Sequence, residues 1–559
     1  MAGGLAGRSD ERTPSIDHVV VLALENRSFD HMLGYLDHPN PAFDGLRTPG
    51  SHDNPGWEGA PEVSATPGAK PVLPVGPDHA HDAVMAQLGI SAAHPPWAPT
   101  NQGFVRDYER AGRRIPISAR YSGLLSPLFN WLEGRKTSSD TPVTGRGPLI
   151  MLSQAPESVP VLSRLATEFA VCTRWFASVP GETWPNRNFL HAACSGGEVN
   201  IDTRLYDDPT IFELLEANGK TWRIYHDDTP QVWAFHELWD TEDRHANWFP
   251  FIDFAKHVAA GELPTYTFIE PNHRPPFHTL DHDPVVGVPD VSNNQHPENN
   301  LVDNAAYDSF AATDTDFARA ETLVANVYEA LRANPDLFAR TLLVVTYDEH
   351  GGFYDHVLPP VGVPNPHVQP DLGTRLMHFL LHRRASAFDF TMLGVRVPAV
   401  VISPRIPRAT IESHVRDHAS VPSTLRALFA PAAQPLTSRD AWSPPFHGVV
   451  TLDEPRTDLP DLSPFTAPPS PPAPVPPRPV GAENVPAYYD NFIKLSDEVH
   501  HHLVKVHETE TATEARPAAD PAQRAAQVSQ LFSDAAHRHR EQGHGGGVTN
   551  PQRRPPSPG

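Results

Sequence analysis

The sequence predicts an α/β fold: one mostly parallel sheet with helices on both faces, extended by a proline-rich linker and a helical C-terminal segment. Three observations predict it. Short apolar runs rich in β-branched and aromatic residues recur through the first 460 positions, each bounded by turn formers or polar residues, as strands buried on both faces read. Stretches with apolar residues at helical spacing lie between them, and strands alternating with helices indicate a parallel sheet. Proline, at 63 of 559 residues, is about twice its usual share of roughly 5%, so much of the chain is loop or extended linker.

The first strand is read over Val19–Leu24. Pro180-Gly181 makes a turn, and a helix follows with Phe189, Leu190 and Ala193 inward. The next helix, from Ile211, stops at Gly219, a residue that readily adopts the left-handed conformation of a helix end. Strands follow at Thr221–Tyr225 and Thr265–Ile269. A helix over Ala320–Leu331 puts Leu323, Val324, Val327 and Leu331 on one face. Strands at Leu342–Tyr347 and Ala399–Ser403 precede a helix over Asp417–Phe429, with Val421, Leu425 and Leu428 inward. Pro39–Pro99, rich in Pro, Gly, His and Asp, and the polar stretch His273–Asn304 read as insertions, and loops of that length inside a compact domain tend to carry function. The chain thus divides into a compact domain over 1–460, a polyproline-type linker over 461–480, and a helical extension over 481–542. Its stripe is Tyr489, Phe492, Ser496, Val499, Leu503 and Val506, and a second helix starts at Asp520-Pro521. A Gly/Pro/Arg-rich tail over 543–559 is expected to be disordered.

Composition removes several functions. A formal charge of −23 argues against nucleic-acid binding by bulk charge. Two cysteines, Cys172 and Cys194, cannot build a disulfide scaffold or a Cys-based zinc site. No uncharged apolar window reaches the ~18 residues of a membrane span. The N-terminus lacks a basic region followed by an apolar stretch, so cytoplasmic residence or export by a signal-less route is expected.

Two strand ends share one design. Val19–Leu24 runs into Glu25-Asn26-Arg27-Ser28, and Leu342–Tyr347 runs into Asp348-Glu349-His350-Gly351-Gly352. Ligands of open α/β sheets gather at the carboxyl ends of strands. If the two strands are neighbours, three carboxylates and an amide converge, and their repulsion raises their pKa values unless a cation is present. Oxygen donors favour a hard ion such as Mg²⁺, Ca²⁺ or Mn²⁺, with Zn²⁺ still open. The competing reading makes the same acids solvated loop residues or helix caps. Thr183 stands at the start of a helix, where free N–H groups and the dipole suit an anion; its hydroxyl is either an N-cap or a nucleophile. His79, His81, His296 and His350 fall in the candidate loops, where they either serve a phosphoester hydrolase as donors and proton carriers or are ordinary exposed loop residues.

The segments Glu25–Gly34, Pro180–Arg187, Tyr347–Val357 and Gly394–Pro404 resemble, in order, the blocks of the phosphoesterase family, which holds non-specific phospholipases C and a bacterial acid phosphatase. The resemblance covers about Ile16 to Phe429. It implies an alkaline-phosphatase-like sandwich and hydrolysis at phosphorus. It also implies a divalent metal ion held by Glu25, Asn26, Asp348, Glu349 and Thr183, with Thr183 as nucleophile and His296, His350 and His81 as active-site histidines. The expected substrate is a phosphodiester such as a phospholipid, cleaved as by a phospholipase C through a phosphothreonine intermediate. Contact with a membrane would be peripheral, and the chain's negative charge favours zwitterionic over anionic lipid. Glu182, beside the nucleophile, is expected to disfavour a dianionic monoester. A phosphomonoesterase and a non-catalytic scaffold using the proline-rich linker remain as alternatives.

Overall fold

The structure, a computed structural model, describes residues 16–47, 52–71, 73–91, 95–113, 143–273, 292–300, 316–367, 388–466, 491–492, 494–495 and 498–499. Most of the expected linker, the helix expected from Asp520-Pro521, the tail and much of 273–304 lie outside these residues.

Among the described residues eight strands form the central sheet: β1 His18–Leu24, β2 Ala170–Cys172, β3 Trp222–His226, β4 Trp248–Pro250, β5 Tyr266–Ile269, β6 Thr341–Tyr347, β7 Ala399–Ile402 and β8 Thr410–Glu412. Their order across the sheet is β8-β2-β7-β6-β1-β5-β3-β4. All run parallel except β7, which is antiparallel to both β6 and β2. The five strands expected from apolar runs are all present. The three not anticipated, β2, β4 and β8, have three residues each, too few to leave a run in the sequence.

Residues on both sides of β1 and β6 are buried, so both faces of the sheet are covered. Helices α1 Phe29–Leu33, α2 His81–Gln87 and α3 Phe104–Gly112 belong to the first part of the chain. Around the sheet, α4 Pro160–Glu168, α7 Phe254–Ala259 and α8 Asp316–Arg332 pack together. A second group comprises α5 Thr183–Ala192, α6 Ile211–Ala217 and α9 Ser420–Phe429. The anticipated stop after α6 is present, with Gly219 at φ +70°. Part of the Pro39–Pro99 stretch is built into the domain: Val84 and Leu88, from and beside α2, share a buried cluster with Phe104, Tyr108, Phe353 and Phe390. Phe492, Leu495 and Val499 of the C-terminal segment are buried as well, with Leu495 and Val499 in the main core. Among the described residues no helix is long and apolar enough to cross a membrane.

Candidate active site

β1 and β6 are adjacent and in register, Leu24 opposite Tyr347. Glu25-Asn26 and Asp348-Glu349 therefore leave the sheet side by side. Asn26 takes the left-handed conformation, φ +60°, which Asn tolerates better than most residues, and its backbone N–H donates to Asp348 Oδ1 at 3.0 Å. The close approach explains Gly351: a Cβ there would lie 2.1 Å from the carbonyl oxygen of Asn26. The glycine makes room for the neighbouring loop.

The turn before α5 is held by Asn186. Its Oδ1 accepts from Val179 N, and its Nδ2 donates to the carbonyls of Val179, Gly181 and Glu182. Thr183 is the first helical residue and Glu182 the N-cap, so the capping role open to Thr183 is not the one it takes. Its Oγ1 instead donates to Asn26 Oδ1 at 3.2 Å. Glu182 Oε2 accepts from the backbone N–H of Ile201.

Three segments thus meet, and Arg187, from α5, ties them to a fourth, the end of β5. Its Nε donates to Asp348 Oδ2 at 3.1 Å, Nη1 to Glu270 Oε1 at 2.7 Å and Nη2 to Ala23 O, with Glu25 Oε1 at 3.5 Å. Burial opposes its charge, but Glu270, Asp348 and Glu25 raise its pKa. His273 bridges two of the same acids, with Nδ1 3.2 Å from Glu25 Oε1 and Nε2 3.0 Å from Glu270 Oε1. Burial lowers its pKa, yet Glu25 above all lifts it to about 10. Burial alone would raise Glu270, but Arg187 and then His273 hold it near 2. Asp348 is pushed up to about 8, first by burial and then by Glu25 and Glu349, against the pull of Arg187.

The histidines differ. His79 Nε2 lies 3.3 Å from Asn26 Nδ2. Burial would lower its pKa, but Glu349, Glu182, Glu298 and Asp78 raise it to about 9. His296 packs edge-on to His79, centroids 5.5 Å apart, and its Nδ1 accepts from Glu298 N; burial, then His79, keeps its pKa well below the ordinary value. His350 places Nδ1 3.1 Å from Glu349 Oε2 and Nε2 2.8 Å from Gln87 Oε1. His81 Nδ1 bonds the carbonyl of Pro180 at 2.6 Å, so its contact is with the turn that presents Thr183; burial lowers its pKa to about 4.

Sequence reasoning gave no role to Arg187, Glu270, His273 or His418. Glu270 was within reach, because it follows the β5 run Tyr266–Ile269 as Glu25 follows β1. His418, whose Nε2 bonds the carbonyl of Asp348 while Nδ1 accepts from Trp175, leaves no such signal. The second halves of the two strand-end motifs meet around Arg396. Its Nη2 donates to Asp30 Oδ1 at 2.8 Å and its Nε to Asp355 Oδ1 at 3.1 Å, and His356 Nδ1 lies 2.7 Å from Asp30 Oδ2. Ligand atoms of Asp30, Asp355 and His356 come within 4.8 Å of one another, a spacing that could hold a metal ion. Arg396 already supplies a cation there.

The acids at the strand ends leave two buried oxygens without partners: Glu25 Oε2 and Glu349 Oε1 are buried with no hydrogen-bond partner among the described residues, and buried carboxylate oxygens are costly unless paired or coordinated. Asn26 Oδ1, Asp348 and Thr183 Oγ1 add further oxygens of the kind a hard divalent cation prefers, but Glu25, Asp348 and Glu349 do not bring ligand atoms within 4.8 Å of one another as Asp30, Asp355 and His356 do, and Arg187 and His273 already supply positive charge beside Glu25 and Asp348.

Residues 16–430 match the model of the phosphoesterase family. The chain belongs to that family and is a hydrolase acting on phosphoester bonds. It is 34% identical over 470 residues to non-specific phospholipase C6 of Arabidopsis thaliana, spanning 81% of this chain and 76% of that relative. Identity to non-specific phospholipase C3 of the same plant is 32% over 465 residues, 80% and 75% of the two chains. Phospholipase C B of Mycobacterium tuberculosis is 27% identical over 493 residues, 82% and 84%. Among solved structures, a protein in the alkaline phosphatase superfamily from Vibrio parahaemolyticus is 13% identical with a TM-score of 0.26, covering 48% of this chain and 60% of that one.

Proposed function

We propose that the protein is a metal-dependent phospholipase C-type hydrolase in which Thr183 is the nucleophile. The observation that carries this reading is the placement of the Thr183 hydroxyl, through Asn26, on the buried carboxylate cluster of Glu25, Asp348 and Glu349. The names of the relatives support the substrate class, a phosphodiester such as a glycerophospholipid.

Glu25, Asn26, Asp348, Glu349 and Thr183 would hold the ion. When bound, a divalent cation favours a deprotonated hydroxyl and stabilises charge on phosphoryl oxygens. Asn26 orients Thr183 Oγ1, which releases its proton to water and attacks phosphorus as the bond to the glycerol oxygen breaks. His79 Nε2 faces Asn26 Nδ2 and so keeps the amide turned with its Oδ1 toward Thr183; the leaving oxygen takes its proton from water. The free N–H groups at the start of α5 face the anion. Water then attacks the phosphothreonine, the P–Oγ bond breaks, and the phosphorylated head group leaves with Thr183 restored. His296 and His81, both held neutral, and His350 complete the polar wall; His81 also keeps the Pro180 turn in place.

Thr183→Ala is expected to lose at least about a thousandfold in kcat, while Thr183→Ser keeps measurable turnover. The assay uses p-nitrophenylphosphorylcholine and p-nitrophenyl phosphate, with and without chelator. Unchanged turnover in Thr183→Ala removes the nucleophile; turnover of the monoester alone makes the protein a phosphomonoesterase.

A further inference from the structure

The family match ends at residue 430, yet a residue far beyond it touches the site. Phe492 is 2% exposed, and its ring stacks on His273 with centroids 4.2 Å apart and planes at 21°. The same ring packs edge-on against Trp184, next to Thr183, at 5.9 Å and 63°. Leu495 and Val499, at helical spacing from Phe492, are wholly buried in the main core. The segment is therefore seated in the domain.

His273 is held at its edges: Nδ1 faces Glu25 at 3.2 Å and Asn294 Nδ2 at 3.0 Å, and Nε2 faces Glu270 at 3.0 Å. Edge contacts fix an imidazole in its plane but do not stop it tilting, whereas a ring packed on its face does. One aromatic side chain thus braces the histidine that orients Glu25 and the tryptophan adjoining Thr183. We propose that Phe492 is a positioning residue of the phosphoesterase site, holding His273 in line with Glu25 and Glu270, so that the C-terminal segment completes that site. The proposal rests on the hydrolytic function given above.

The test uses the full chain and three variants, Phe492→Ala, Phe492→Tyr and Val499→Ala. Val499→Ala loosens the same segment at a residue that belongs to the core. Two readouts are taken: kcat and KM on p-nitrophenylphosphorylcholine, and hydrogen exchange of peptides covering residues 23–28 and 270–273. Phe492→Ala should lose about tenfold in kcat with KM nearly unchanged, because small misplacements of catalytic groups are costly, and should exchange faster in both peptides. Phe492→Tyr should restore both readouts, and Val499→Ala should leave kcat within about twofold of the parent. Parental kcat and exchange in Phe492→Ala, or an equal kcat loss in Val499→Ala, overturn the proposal. An inactive parent whose exchange still quickens in Phe492→Ala overturns the hydrolytic reading and upholds the positioning role.

Discussion

Arg187→Met is the most informative single change at the site. Methionine keeps much of the side-chain volume and removes the charge. Arg187 is wholly buried and makes charge-assisted bonds to Asp348 at 3.1 Å and Glu270 at 2.7 Å, each worth about 1.5–3 kcal/mol. Its removal leaves Glu25, Asp348 and Glu270 facing one another with His273 as the cation between two of them. Breaking a buried pair from one side costs about 3–5 kcal/mol, and that is the loss expected in urea unfolding at neutral pH. The double variant Arg187→Met/Glu270→Gln should recover about 1–2 kcal/mol, because one stranded carboxylate is gone. Arg187→Lys should fall between, since an ammonium cannot span the carboxylates as a guanidinium fork does. On the same preparations kcat should drop about a hundredfold, as Asp348 loses its orientation. A loss below about 1 kcal/mol, or strict additivity in the double variant, would refute the view that Arg187 balances the acid cluster.

Three further outcomes are expected. Glu321 caps α4 by accepting from Val161 and Leu162 N–H, and burial lifts its pKa from 4.5 to about 7 despite those bonds; the folded state keeps a proton the unfolded state releases, so stability should fall as pH rises from about 4.5 to about 7, by at most about 3 kcal/mol, and Glu321→Gln should flatten that slope in pH-dependent unfolding. His79→Ala frees the Asn26 amide that faces Thr183 and should cost about tenfold or more in kcat on p-nitrophenylphosphorylcholine, and His81→Asn, whose bond is to the Pro180 turn, should cost less; steady-state kinetics of the two variants separate them. Cys172 and Cys194 are free and buried, and burial pushes the Cys172 thiol up to about 12, so a thiol reagent should label neither in the native protein and both after denaturation.

Much of the fold was legible because buried parallel strands leave dense apolar runs, and β1, β3, β5, β6 and β7 each did. Strands of three residues bury too little to mark the sequence, which is why β2, β4 and β8 needed the tertiary structure. At the site, Glu25, Asn26, Asp348 and Glu349 were visible from their position after such runs. Thr183 was visible as a residue at a helix start, with its role undecided between cap and nucleophile. The partner of its hydroxyl, Asn26, lies 157 positions away, and a contact of that range has no local signature.

The sequence by itself determined which strand ends deliver oxygen donors and where a hydroxyl opens a helix, because side-chain periodicity and turn chemistry are local properties of the chain. Tertiary structure alone decided that β1 and β6 lie side by side, that Arg187 and His273 balance the acids between them, and that an aromatic residue from beyond the family match stacks on that histidine. Those are relations between distant segments, set by sheet order and by the need of buried charges to find partners.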